Sequence, residues 1–128
     1  VGQIFIENAI NKHEIKIGGD GEDKLDFTYI KDLCNGVQLC IEKEKSINEI
    51  FNLTFGSSRT INNMKDILLK SFPNAKISYE KRDKLMPKRG TLSISKAKKL
   101  LGYNPSYAIE DAYPEYIKWY KDFLKSEV

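Results

Sequence analysis

The chain is poor in the side chains that bind metals or titrate near neutral pH. Of 128 residues, one is histidine and two are cysteine. His13 lies in a polar turn with no partner motif, so neither a metal cluster nor a His-centred catalytic constellation is expected. Cys34 and Cys40 stand six residues apart, which suits neither zinc ligation nor a disulfide framework. Buried reduced thiols are the expectation, as in a cytoplasmic protein. No apolar run approaches the roughly 20 residues that cross a bilayer, so no membrane partner is expected. No basic-then-apolar leader opens the chain. It starts at Val1 rather than a methionine and is expected to be a piece of something longer. There is no internal repeat, linker or low-complexity tract, so residues 1–128 read as one domain.

The composition that remains, 41% hydrophobic and 30% charged, is that of a globular protein. A net charge of +3 is too mild to argue for nucleic acid. The distribution is less even. Between Lys81 and Lys99 stand Lys81, Arg82, Lys84, Lys88, Arg89, Lys96, Lys98 and Lys99, against Asp83 alone. Such a local excess attracts an anion. A binder of single-stranded nucleic acid would interleave exposed aromatics with these cations. Only Tyr79 lies at the edge of the segment, so no nucleic-acid partner is expected. Most of the lysines read as well as a solvated loop and the outer face of a helix.

Periodicity places the elements. Residues 3–11 end a helix, and Glu14–Ile17 form a strand with Ile15 and Ile17 on one face. Gly18-Gly19-Asp20-Gly21 is turn chemistry. Phe27–Ile30 read as a strand, and Asp32 as the N-cap of a helix that buries Leu33, Val37, Cys40 and Ile41. Glu49–Thr54 read as a strand. Thr60 caps a helix with Ile61, Met64, Ile67, Leu68 and Phe72 inward, and Lys76–Glu80 follow as a strand. After a basic loop over 81–92, Ser93 caps a short helix stopped by Gly102. An aromatic-rich last helix runs through Tyr113, Tyr116, Trp119, Tyr120 and Phe123, with Pro114 inside its pattern. The fold class expected is α/β, a small mixed sheet with flanking helices.

Gly19-Asp20-Gly21, Asp26-Phe27-Thr28-Tyr29-Ile30-Lys31-Asp32, Phe51-Asn52-Leu53, Ser95-Lys96-Ala97 and Leu101-Gly102-Tyr103-Asn104-Pro105 occur in that order. This ordered set resembles the C-terminal substrate lobe of the NAD-dependent epimerase/dehydratase family, the extended short-chain dehydrogenases that act on nucleotide-sugars. The resemblance covers nearly the whole chain. It implies a parent enzyme that oxidises a sugar hydroxyl with NAD or NADP, alters a carbon and returns the hydride, with C4 epimerisation first and dehydration the alternative. It implies an NDP-sugar substrate, an N-terminal Rossmann domain of the same polypeptide as partner, and a homodimer. The family's Gly-x-x-Gly-x-x-Gly turn and Tyr-x-x-x-Lys pair are missing, so this chain alone is expected to hold no cofactor, carry no catalytic residue and be inactive. The expected substrate contacts are Arg89 in the basic loop, Arg82 as its alternative, Leu25, and the strand end at Lys16 and Ile17. The sequence departs from the family pattern at Leu25, where an arginine is usual, at Gly18, where an aromatic is frequent, and at Ser93, where aspartate is usual. A free-standing polyanion-binding module and a non-catalytic interaction domain remain as other readings.

Overall fold

The computed structural model describes residues 1–126. Helix α1 (Gly2–Ile10) turns Phe5, Ile6 and Ala9 inward. β1 (Ile15–Gly18) buries Ile15 and Ile17 by the alternation of a strand and ends in the glycine turn. Gly19 and Gly21 both hold positive φ there. At Gly21 glycine is required twice over, because a Cβ would also collide with the Asn62 carboxamide.

β2 (Lys24–Leu25) pairs antiparallel with β3 (Arg59–Thr60). β3 leads into α3 (Ile61–Ser71). Past Leu25 the antiparallel register would face β2 with Ser58 and Ser57, but the chain bends at Gly56 and Ser57, and the Gly56 and Ser58 N–H groups go to the Asp26 and Thr91 side chains, so β2 has no partner there. The strand expected at Phe27–Ile30 therefore does not form. α3 opens on a capping box: Thr60 accepts from the Asn63 N–H while the Asn63 side chain accepts from the Thr60 N–H. β4 (Ile77–Glu80) pairs parallel with β1, Ile15 opposite Ile77 and Gly18 opposite Glu80. The parallel and antiparallel pairings thus occupy separate two-stranded sheets rather than one mixed sheet. α4 (Ser95–Leu101) ends at Gly102 in the left-handed conformation, as its sequence implies. Its N-cap position is Ile94, not Ser93, and Ser93 instead accepts from the Ser95 N–H through its hydroxyl. α5 (Ile109–Ser126) carries Pro114 in its first turns without breaking.

One core gathers α1, β1, α3 and α5 around Ile6, Ile15, Met64, Leu68 and Ile117. A second gathers Ile94, Ala97, Leu101 and Tyr103, with Leu39, Phe51 and Leu53 packed against them. Burial, then the nearby carboxylates of Asp32 and Asp26, push the Tyr103 phenol up to about 12.

α2 (Ile30–Glu42) joins this second core by an unexpected face. Asp32 and Gly36 are buried, and Leu39 and Cys40 continue that side. Gly36 permits close approach, since a Cβ there would lie 3.0 Å from both Leu53 and Tyr103. Asp32 is not the N-cap, a place held by Tyr29. Its carboxylate accepts from the Ser106 and Tyr107 N–H groups, each at 2.9 Å, and so ties α2 to the entry of α5. The apolar residues expected inside, Leu33, Val37 and Ile41, form with Ile30 an exposed stripe, and Ile41 is 82% exposed. Cys34, expected buried, is exposed as well. Residues 49–54 keep a strand-like alternation, Phe51 and Leu53 half-buried and Ile50 and Asn52 exposed, but pair with no strand. Among the described residues no helix is long and apolar enough to cross a membrane.

Candidate substrate-binding cleft

Because β1 and β4 run parallel, the glycine turn after β1 and the basic loop after β4 leave from the same edge. Strand carboxyl ends are where α/β folds place ligands. A cleft of about 350 Å³ opens there, and its lining includes Lys16, Ile17, Gly18, Lys24, Leu25 and Arg89. Leu25 and Arg89 also line a neighbouring hollow with Asp26, Gly90 and Leu92, and so stand on the divide between the two spaces. A third hollow, among Phe27, Met64, Tyr107, Tyr113 and Tyr116, is almost wholly apolar.

The electrostatics of the cleft follow from what its cations do not touch. Among the described residues, Lys16, Lys24 and Arg89 make no ion pair, whereas five other cations do, Arg82 and Lys96 among them. The one carboxylate in the lining, Asp23, is engaged by the Arg82 guanidinium at 2.8 Å. A pocket with three unpaired cations and a neutralised acid suits a diphosphate, for which guanidinium supplies a two-pronged donor. The structure brings Lys16, Ile17, Leu25 and Arg89 together in one cleft. Arg82 lies outside that lining, packed over Gly19 and paired with Asp23. Lys24, a candidate stand-in for the arginine missing at Leu25, and Gly18, noted as a departure from the family pattern, also join the lining. At Gly18 a Cβ would meet nothing within 4 Å, so the wall is open where a larger side chain would narrow it.

The glycine turn is no dinucleotide cradle. It leads to β2 rather than to a helix N-terminus, and Asn62 already fills its concave side, donating to the Asp20 carbonyl at 3.0 Å and to Glu22 at 2.6 Å. Among the described residues no group of histidine, cysteine, aspartate and glutamate could hold a metal ion.

The sequence profile of the NAD dependent epimerase/dehydratase family matches residues 2–54. A UDP-glucuronate 4-epimerase of Thermodesulfobacterium geofontis is 36% identical over 94% of this chain. The chain belongs to the NAD-dependent epimerase/dehydratase family. It spans 38% of the length of that relative. Among solved structures, an epimerase from Methanothermobacter thermautotrophicus superposes with a TM-score of 0.91 at 26% identity, covering 98% of this chain and 38% of the other. A UDP-glucuronic acid 4-epimerase from Bacillus cereus, solved with UDP-glucuronic acid and NAD, gives 0.82 at 30% identity, over 92% of this chain and 39% of that one. The architecture is that of the C-terminal lobe of these epimerases, and the α/β class expected from the sequence holds.

Proposed function

We propose that this lobe binds the nucleoside diphosphate of an NDP-sugar in the cleft at Arg89 and completes an NAD(P)-dependent C4 epimerase whose cofactor domain packs on the outer face of α2. The convergence of unpaired Lys16, Lys24 and Arg89 on one cleft carries the reading. UDP-hexose or UDP-uronic acid is the substrate class, in keeping with the UDP-glucuronate 4-epimerase relative. The bound cofactor supplies hydride removal and return, and it belongs to the other domain.

A tyrosine acting as catalytic base needs a depressed pKa, and four tyrosines here are shifted the other way. The hydrogen bond to Glu115 raises Tyr29, burial raises Tyr103 and Tyr113, and the hydrogen bond to Glu7 raises Tyr120. On this reading the lobe binds and orients, and the cofactor domain supplies the chemistry. α2 has one side closed by the second core, through Leu39 and Cys40, and a second, open apolar side through Ile30, Leu33, Val37 and Ile41. A helix of that kind sits between two bodies. Ile47 and Ile50 are exposed as well, the latter within the unpaired segment 49–54, whose backbone can add to a sheet edge. The cofactor domain is the occupant that fits, given that the chain spans 38% of its relative.

The test compares the isolated chain with the complete enzyme. The isolated chain is expected to give no saturable NADH fluorescence enhancement and no turnover of UDP-glucose or UDP-glucuronate, while the complete enzyme gives both. Saturation at micromolar NADH by the isolated chain would overturn the division of labour.

Leu25 tests the cleft itself. It is half-buried and borders both spaces, so a longer side chain has somewhere to go. Leu25→Arg in the complete enzyme is expected to melt normally and to bind UDP about tenfold more tightly, the equivalent of one charge-assisted contact. A lost cooperative melt would mean that position 25 is core, where an unpaired charge is costly.

A further inference from the structure

The basic loop has two grips, one at each end, and both are carboxylates that flank β2. At its start, Arg82 donates from Nε to Asp23 at 2.8 Å while its aliphatic stem lies over Gly19. At its end, Asp26 Oδ2 accepts from the Leu92 N–H at 3.3 Å, and both carboxylate oxygens accept from the Gly56 N–H, at 3.1 and 3.2 Å. Three further bonds seal the same end: Thr91 Oγ1 accepts from the Ser58 N–H at 3.0 Å and donates to the Ser58 hydroxyl at 2.8 Å, and Asn52 donates to the Ser93 carbonyl at 3.0 Å. Arg89 lies between the two grips, close to the second. Between Arg82 and Thr91, the described hydrogen bonds stay within the loop, from the Leu85 N–H to the Asp83 side chain and from the Met86 N–H to the Asp83 carbonyl.

We propose that Asp23 and Asp26 are positioning residues that hold the two ends of the basic loop, so that Arg89 faces the cleft. The inference rests on the proposed diphosphate site. It gives Arg82, an alternative phosphate ligand by sequence, the work of an anchor. Neither aspartate is a phosphate ligand in this scheme. Each acts through Arg89, and the signature of such action is non-additivity.

A double-mutant cycle in the complete enzyme tests this, with UDP or dTDP as the probe, whichever the wild type binds more tightly, and the matching nucleoside as control. Arg89→Ala and Asp26→Asn are each expected to weaken diphosphate binding about tenfold, near the range for one charge-assisted hydrogen bond. The double variant is expected to bind no worse than about tenfold below wild type, and nucleoside affinity is expected not to change. A roughly hundredfold loss in the double variant would overturn the proposal, since Asp26 would then act independently of Arg89. So would wild-type affinity in Asp26→Asn beside a weakened Arg89→Ala. Arg82→Met, which keeps the packing on Gly19 and removes the ion pair, repeats the cycle from the other end should Asp26→Asn fail to fold. Additivity of Arg82→Met with Arg89→Ala would make Arg82 a direct phosphate ligand and overturn the anchor. If Arg89→Ala itself binds like wild type, the diphosphate site falls and the positioning role falls with it.

Discussion

Replacing Asp32 by alanine is expected to destabilise the lobe by about 2–4 kcal/mol, because two backbone donors lose their acceptor at once. Asp32 is 3% exposed, and its two oxygens take one N–H each, from Ser106 and Tyr107. Among the described residues no ion pair compensates its charge. The compensation comes from those two N–H groups and from the first turn of α2, where the helix dipole favours an anion. Removing the carboxylate leaves water to reach the α2–α5 joint or leaves the donors unpaired. Asp32→Asn keeps one acceptor and is expected to lose about half as much. Urea melts of the wild type and both variants decide it. Two variants within about 0.5 kcal/mol of wild type would mean that the joint is held by packing alone.

Arg89→Ala is the second large effect, expected to weaken UDP or dTDP binding to the complete enzyme by about 1.5 kcal/mol, roughly tenfold, the low end of the range for one hydrogen bond to a charged partner. Titration calorimetry measures it directly. The control is Lys98→Ala, on the exposed side of α4, with an expected change under about 0.5 kcal/mol. Equal affinities in Arg89→Ala and wild type would remove the cleft as the diphosphate site. A loss with Lys98→Ala matching that with Arg89→Ala would mean that general positive charge, not a placed guanidinium, attracts the ligand.

Local chemistry made much of the fold legible. Thr60 and Asn63 are neighbours in sequence, so the capping box at α3 needs no knowledge of the rest of the chain. The same is true of Gly102, whose left-handed stop follows from residue type. What failed depended on distant partners. The α2 periodicity marks two apolar sides three residues out of phase, and only the positions of Leu53 and Tyr103 decide which side Gly36 turns inward. Residues 27–30 and 49–54 have strand composition but meet no strand, and composition cannot supply a partner. In the cleft, Arg82 and Arg89 are both arginines in one basic loop by sequence. Asp23, 59 residues away from Arg82, separates them by pairing with one and not the other. The spacing of charges held no signal for that choice. The Asp-Phe motif pointed to residue 26, but its bonds to Gly56 and Leu92 span 30 and 66 residues.

The parallel register of β1 with β4 also bears on how such a lobe can diversify. The two strands set the edge of the cleft, while what lies on that edge is a four-residue turn and a loop tethered at both ends. Substitutions or changes of length between Arg82 and Leu92 alter the chemistry offered to a ligand without touching the residues that pack either core. Descent with modification can therefore act on ligand choice in one short stretch of sequence, while selection for folding acts on another.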